Sequence, residues 1–202
     1  MNQLLIVTLN GDPLAELGTE HAGGQCKYVR ELSRHLLLKK WAIHIVTLGE
    51  TGCRQYEQVA PKLVVTRLER PLGRPYGYDI TEAEVRSIGK KMRKIIDIKD
   101  VTVILACYWL SGLAVLEMES RLPLVTTFCS LARFKMNADP AESLLRRAEA
   151  ERMIGNRSDA IIATNTAERD SLVGEYGLPP ERIHVVPRGI DISAFTCIAN
   201  TH

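Results

Sequence analysis

The feature that most constrains the fold is an alternation along the chain, in which apolar runs of strand length take turns with segments of helical period. Leu4 to Leu9 is continuously apolar, the pattern of a strand covered on both faces. Val29, Leu32 and Leu36 then recur at helical spacing and predict a helix over Gln25 to Lys39. Further strands are predicted at Ile43 to Leu48, Leu63 to Leu68, Val101 to Ala106, Leu124 to Phe128, Ala160 to Thr164 and Ile183 to Val186. A loop rich in proline and glycine runs from Arg70 to Tyr78. Thr81 and Glu84 have the spacing of a capping box. The helix they open carries Val85, Ile88, Met92 and Ile95 on one face and Lys90, Lys91, Arg93 and Lys94 on the other. Gly112 to Arg121 reads as a helix, Asp139-Pro140 starts another, and Thr166 to Tyr176 is closed by Gly177 in the left-handed conformation. The result is an α/β chain: a Rossmann-like, doubly wound parallel sheet with right-handed crossovers and helices on both faces.

Composition narrows the function classes. A net charge of +2, with no basic stretch interleaved with aromatics, gives no reason to expect a nucleic-acid partner. The five cysteines form an odd set with no CxxC spacing and no metal-ligand pattern, so a reduced, cytoplasmic setting is the default expectation; no metal site and no cofactor are expected. Met1 to Leu9 lacks a basic leader and reads as a strand. No apolar run approaches the roughly 20 residues that span a bilayer.

In doubly wound sheets ligands bind beyond the carboxyl ends of the strands, so the loops there carry the chemistry. Gly23, Gly24 and Gln25 precede the first helix. Two glycines let a ligand approach the backbone, and a helix N-terminus suits an anion. An ordinary tight turn explains them equally well, and the dinucleotide GxGxxG spacing is absent. Tyr108 and Trp109 follow the Val101 to Ala106 strand, where they either hold a ligand or serve as core aromatics. Ser130 follows the next strand, as a phosphate donor or a turn cap. Arg147 and Glu151 share a helix face. Facing a cleft, the guanidinium can grip a phosphate while the carboxylate orients it; facing water, the two are a surface pair.

Taken in order, these segments resemble one family. Gly23-Gly24-Gln25 with Tyr28 to Leu32, then Tyr108-Trp109-Leu110-Ser111-Gly112, Thr127 to Leu131 with Arg133 and Lys135, Arg147 with Glu151, and Val185 to Pro187 with Gly189-Ile190-Asp191 and Phe195 are similar to the motifs of the retaining GT-B glycosyltransferases of family 4. That family contains sucrose-phosphate synthases and the first glycosyltransferase of mycothiol synthesis. The resemblance implies the N-terminal half of a GT-B fold. It implies a nucleotide-sugar donor held by a C-terminal domain, a phosphorylated sugar or polyol as acceptor, and no essential metal. By position, Gly24 lies against the donor phosphates and the acceptor and, with Cys129 in place of the usual histidine, stands at the catalytic positions. Gly23, Gln25, Tyr108, Ser130 and Arg147 serve the acceptor and its phosphate, and Glu151 supports Arg147.

The sequence departs from the family at Cys129 and Leu105, where histidines are usual. It also has no clear counterpart of a loop lysine, Arg74 being the nearest cation. Residues 1–195 read as the acceptor-side domain and 196–202 as the start of an interdomain linker, with the donor domain outside these 202 residues. This half is expected to be inactive alone, with a homodimer or a separate donor-domain chain as protein partner. The other reading is a non-catalytic module that binds a sugar phosphate or another protein.

Overall fold

The computed structural model describes residues 2–16, 23–49, 55–70, 80–136 and 142–189. Within them the alternation becomes one eight-stranded sheet. Its centre is β1 (Gln3–Val7), paired in parallel with β2 (Ala42–Gly49) on one side and β5 (Val103–Cys107) on the other. Beyond β2 lie β4 (Leu63–Glu69) and then β3 (Tyr56–Ala60). Beyond β5 lie β6 (Leu124–Thr127), β7 (Ala160–Ala163) and β8 (Ile183–Val185).

One element corrects the sequence reading. β3 pairs antiparallel to β4, so the sheet is mostly and not wholly parallel. Its sequence, YEQVA, carries no apolar run because an edge strand is covered on few sides.

Successive residues of β1 point to opposite layers. Leu4 and Ile6 join one core with Val29 of α1 (Gly24–Leu38). Leu5 and Val7 join the other, with Val85 and Met92 of α2 (Glu82–Ile95), Leu113 of α3 (Trp109–Leu116), Ile154 of α4 (Glu142–Arg157) and Leu172 of α5 (Thr166–Gly174). This period of two is why the strands had to be apolar on both faces.

The predicted capping box forms: Thr81 Oγ1 accepts from Glu84 N at 3.3 Å, and Glu84 Oε2 accepts from Thr81 N at 2.7 Å. Thr81→Ala should cost about 1 kcal/mol of stability in urea unfolding, because the Glu84 amide loses its acceptor and the Glu84 carboxylate loses the Thr81 hydroxyl. Gly177 adopts φ +66° as expected, and Leu178 N donates to Leu172 O at 3.0 Å across the helix end. The third helix differs from expectation. It starts at Trp109, three residues before Gly112, because the chain passes from β5 into α3 through the single residue Tyr108. The predicted loop around Arg74, the Asp139-Pro140 start, and Ile190, Asp191 and Phe195 lie outside the described residues.

Candidate functional site

The order β4-β2-β1-β5-β6 reverses direction at β1 and β5, which makes the gap beyond their carboxyl ends the switch point of the sheet. Gln25 closes the floor of that gap. Its amide donates to Thr8 Oγ1 at 2.9 Å and to the Cys107 carbonyl at 3.3 Å. The side chain assigned from sequence to the acceptor therefore bridges the two central strands.

Gly23 is the N-cap of α1, with φ −86° and ψ −169°, and no side chain caps the helix there. The first turn holds no acidic residue. Neither glycine has a left-handed backbone, and a Cβ at either would meet nothing within 4 Å. Space, and not conformation, is what these glycines provide: an exposed helix N-terminus with room for a ligand.

The segment between β1 and α1 is anchored from two sides. Arg30 donates to the carbonyls of Pro13 at 2.7 Å and Ala15 at 2.6 Å. Arg67 of β4, buried in an otherwise apolar strand, pairs with Asp12 at 2.5 Å and Glu57 at 2.7 Å. A cation inside an apolar strand was the available signal for this brace, and the sequence reading passed over it.

Tyr108 holds φ 78° and ψ 156°, a region that is close to glycine-only and costs on the order of 1–3 kcal/mol for other residues. Its N–H donates to the Thr127 carbonyl at 2.8 Å, and its own carbonyl accepts from Gly112 N at 3.1 Å, which holds the strained turn. Tyr108 and Trp109 are both half-buried and rest against the core, with ring centroids 6.2 Å apart. Over the Tyr108 ring, 4.8 Å from its centroid, stands the guanidinium of Arg147.

Arg147 and Glu151 are not a surface pair: their side chains are 8% and 0% exposed. Arg147 Nε donates to Glu151 Oε1 at 2.8 Å, and Arg147 Nη2 donates to the Ser130 carbonyl. Nη1 makes no hydrogen bond among the described residues. Glu151 also accepts from Ala132 N at 3.0 Å and from the Tyr176 hydroxyl at 2.5 Å. Tyr176 in turn accepts from Arg133 N at 3.3 Å. The structure thus brings Tyr108, Ser130, Arg147 and Glu151 together on the rim of β5 and β6. It adds Tyr176, 25 residues from Glu151, for which the sequence offered no signal.

Cys129 has φ +63° and lies in the turn before Ser130. Burial pushes its thiol up, against a smaller opposing pull from Arg188, so the sulfur stays protonated and neutral. It offers no positive charge. Arg133 and Lys135 sit exposed in a short 3-10 turn, Arg133–Lys135, and Leu105 is buried in β5. Among the described residues no cluster of His, Cys, Asp and Glu is arranged to hold a metal ion. No helix among them is long and apolar enough to cross a membrane.

Comparison with known proteins places this geometry. The Glycosyltransferase Family 4 profile matches residues 22–194. A D-inositol 3-phosphate glycosyltransferase of Xylanimonas cellulosilytica is 31% identical over 210 residues, covering 96% of this chain and 49% of the relative. Its counterpart in Paenarthrobacter aurescens is 28% identical, covering 96% of this chain and 50% of that protein. The chain therefore spans about half the length of the curated relatives it matches. Among solved structures, sucrose-phosphate synthase from Thermosynechococcus elongatus superposes with a TM-score of 0.79 at 23% identity, over 99% of this chain and 51% of that one.

Proposed function

Since the chain belongs to glycosyltransferase family 4 and has the fold of a GT-B half, we propose that it is the acceptor-binding side of a retaining glycosyltransferase. The enzyme it serves moves a sugar from a nucleotide-sugar to a phosphorylated sugar or polyol. The observation that carries this reading is the buried Arg147–Glu151 pair, with its guanidinium over the Tyr108 ring, at the switch point. A buried cation oriented by a carboxylate, with one edge left open, is suited to a phosphate.

The roles follow from position. Arg147 Nη1 and the Tyr108 hydroxyl take the acceptor phosphate, with the Ser130 hydroxyl beside them. Glu151 holds the guanidinium in place. The acceptor's reacting hydroxyl then faces the α1 N-terminus, where Gly23 and Gly24 leave room for the donor diphosphate. Negative charge grows on that diphosphate as the glycosidic bond breaks, and the amides near Gly24 stabilise it. The chain supplies positioning and electrostatics, with no protein nucleophile. The donor half contributes the rest, so this half alone should show no turnover.

Calorimetry on the 202-residue chain tests the reading, using inositol phosphates first, because of the relatives' activity, and then other sugar and polyol phosphates. Binding should need the phosphate. Arg147→Lys keeps the charge and loses the fork, and should weaken binding by about 10- to 100-fold, the equivalent of a charge-assisted hydrogen bond. Equal affinity in the variant, or binding of the unphosphorylated compounds as tightly, would sink the assignment.

A second reading is favoured by Cys129. A neutral thiol replaces the family's usual histidine, which suits a sugar-phosphate-binding module without catalysis. Transfer activity on joining this chain to a donor half distinguishes the two.

A further inference from the structure

Beyond β8 the chain returns across the rim and sets Arg188 against α1. The guanidinium carbon stands 5.1 Å from the centroid of the Tyr28 ring, one helical turn after Gly24. Nε and Nη2 are both enclosed and meet no acceptor among the described residues, the Cys129 thiol being the one side chain that hydrogen-bonds with the guanidinium there. Buried donors of a permanent cation are normally satisfied, so two unmet ones on a single guanidinium imply an acceptor that binds there.

The surroundings say what kind. Cys107 at the end of β5 and Cys129 beyond β6 both face this cation, and burial holds both thiols neutral. Tyr28 is pushed up to about 12 by burial, so its phenol is neutral as well. One carboxylate, Glu168, acts electrostatically on Cys129. It accepts instead from Thr164 N at 2.8 Å and Thr164 Oγ1 at 2.6 Å. No ion pair joins it to Arg188 among the described residues. Among the described residues Arg188 is therefore a cation with no ion pair, one helical turn along α1 from the exposed Gly23 and Gly24.

We propose that Arg188 is a diphosphate-binding residue of this half, acting with the α1 N-terminus on the anionic leaving group of the nucleotide-sugar. The proposal rests on the glycosyltransferase reading above. It gives the rim a positive charge where Cys129 supplies none, and it places that charge on the segment that follows the last strand. Two independent features meet in it: amides of α1 that favour an anion, and a guanidinium whose donors are unmatched.

Inorganic pyrophosphate is the probe, titrated calorimetrically into the 202-residue chain at low salt. The chain should bind it, and both Arg188→Ala and Arg188→Gln should weaken binding at least about 10-fold, the loss expected for one charge-assisted contact. Arg188→Lys should retain part of the affinity. Arg93→Gln, on the exposed face of α2, should bind pyrophosphate as the parent does. Circular dichroism checks that each variant is folded; Arg188→Gln retains a polar stem where alanine disturbs the packing on Tyr28. No pyrophosphate binding by the parent, undiminished binding by Arg188→Gln, or an equal loss in Arg93→Gln would each overturn the proposal. Failure of the acceptor reading looks different: sugar phosphates would not bind, while the Arg188 dependence of pyrophosphate binding would stand.

Discussion

Glu151→Ala should lower the unfolding free energy by about 4 kcal/mol, the scale seen when one partner of a buried ion pair is removed. The carboxylate accepts from three donors: Ala132 N, Arg147 Nε and the Tyr176 hydroxyl. Alanine leaves all three unmatched at a position with 0% exposure. The largest loss is at Arg147. Its charge would keep only the Ser130 carbonyl and the face of the Tyr108 ring. Glu151→Gln separates charge from hydrogen bonding. An amide has one acceptor oxygen where the carboxylate has two, so its NH2 must face a donor. Tyr176 can turn its hydroxyl to accept, which relieves part of the conflict, and a loss of about 2 kcal/mol follows. Urea unfolding followed by circular dichroism measures both. A loss below that of an exposed pair in Glu151→Ala would mean the pair is not buried. The same variant should also lose sugar-phosphate binding under conditions where it remains folded.

The second large effect is a packing effect far from the site. Gly89→Ala should destabilise the chain by about 3 kcal/mol, the upper part of the range for overpacking. A Cβ at Gly89 would lie 2.3 Å from the Ala114 carbonyl oxygen and 2.6 Å from Glu117 Cβ. The obstacle is backbone, so no rotamer change removes it. α2 must move off α3, and α3 begins at Tyr108. The expected result therefore has two parts: a lower midpoint of thermal unfolding, and weaker sugar-phosphate binding because the Tyr108 ring shifts relative to Arg147. In an exposed helix, glycine to alanine would be stabilising by up to about 1 kcal/mol, so the sign of the change is the test. Gly112 and Gly155 are milder cases. Their added Cβ atoms would meet side chains, of Ile154 and Leu178, which can yield.

The basic face of α2 illustrates a reading that needed only sequence. Lys90, Lys91, Arg93 and Lys94 are all exposed, and Arg93 pairs with Glu119, as expected of a solvated surface. Arg147 and Glu151 show the opposite. From spacing alone a surface pair and a cleft pair are indistinguishable, because an i,i+4 relation fixes a shared face and not what covers it. Burial excludes the surface pair. Gln25 is a third kind of case: the residue was found, and its bonds to Thr8 and Cys107 show it bracing the floor of the site. Arg188 is a fourth kind of case, since nothing local in sequence marks a guanidinium as enclosed with unmet donors.

The sequence by itself determined the α/β class, most strand and helix positions, the capping box at Thr81 and the left-handed Gly177, because each depends on residues within a few positions of one another. It also held the ordered motifs that mark the family. Only the tertiary structure decided the strand order, the antiparallel edge β3, and the meeting of residues 108, 130, 147, 151 and 176. The reason is physical. Parallel strands place their carboxyl ends side by side however much chain separates them, so the rim gathers groups that share no local pattern.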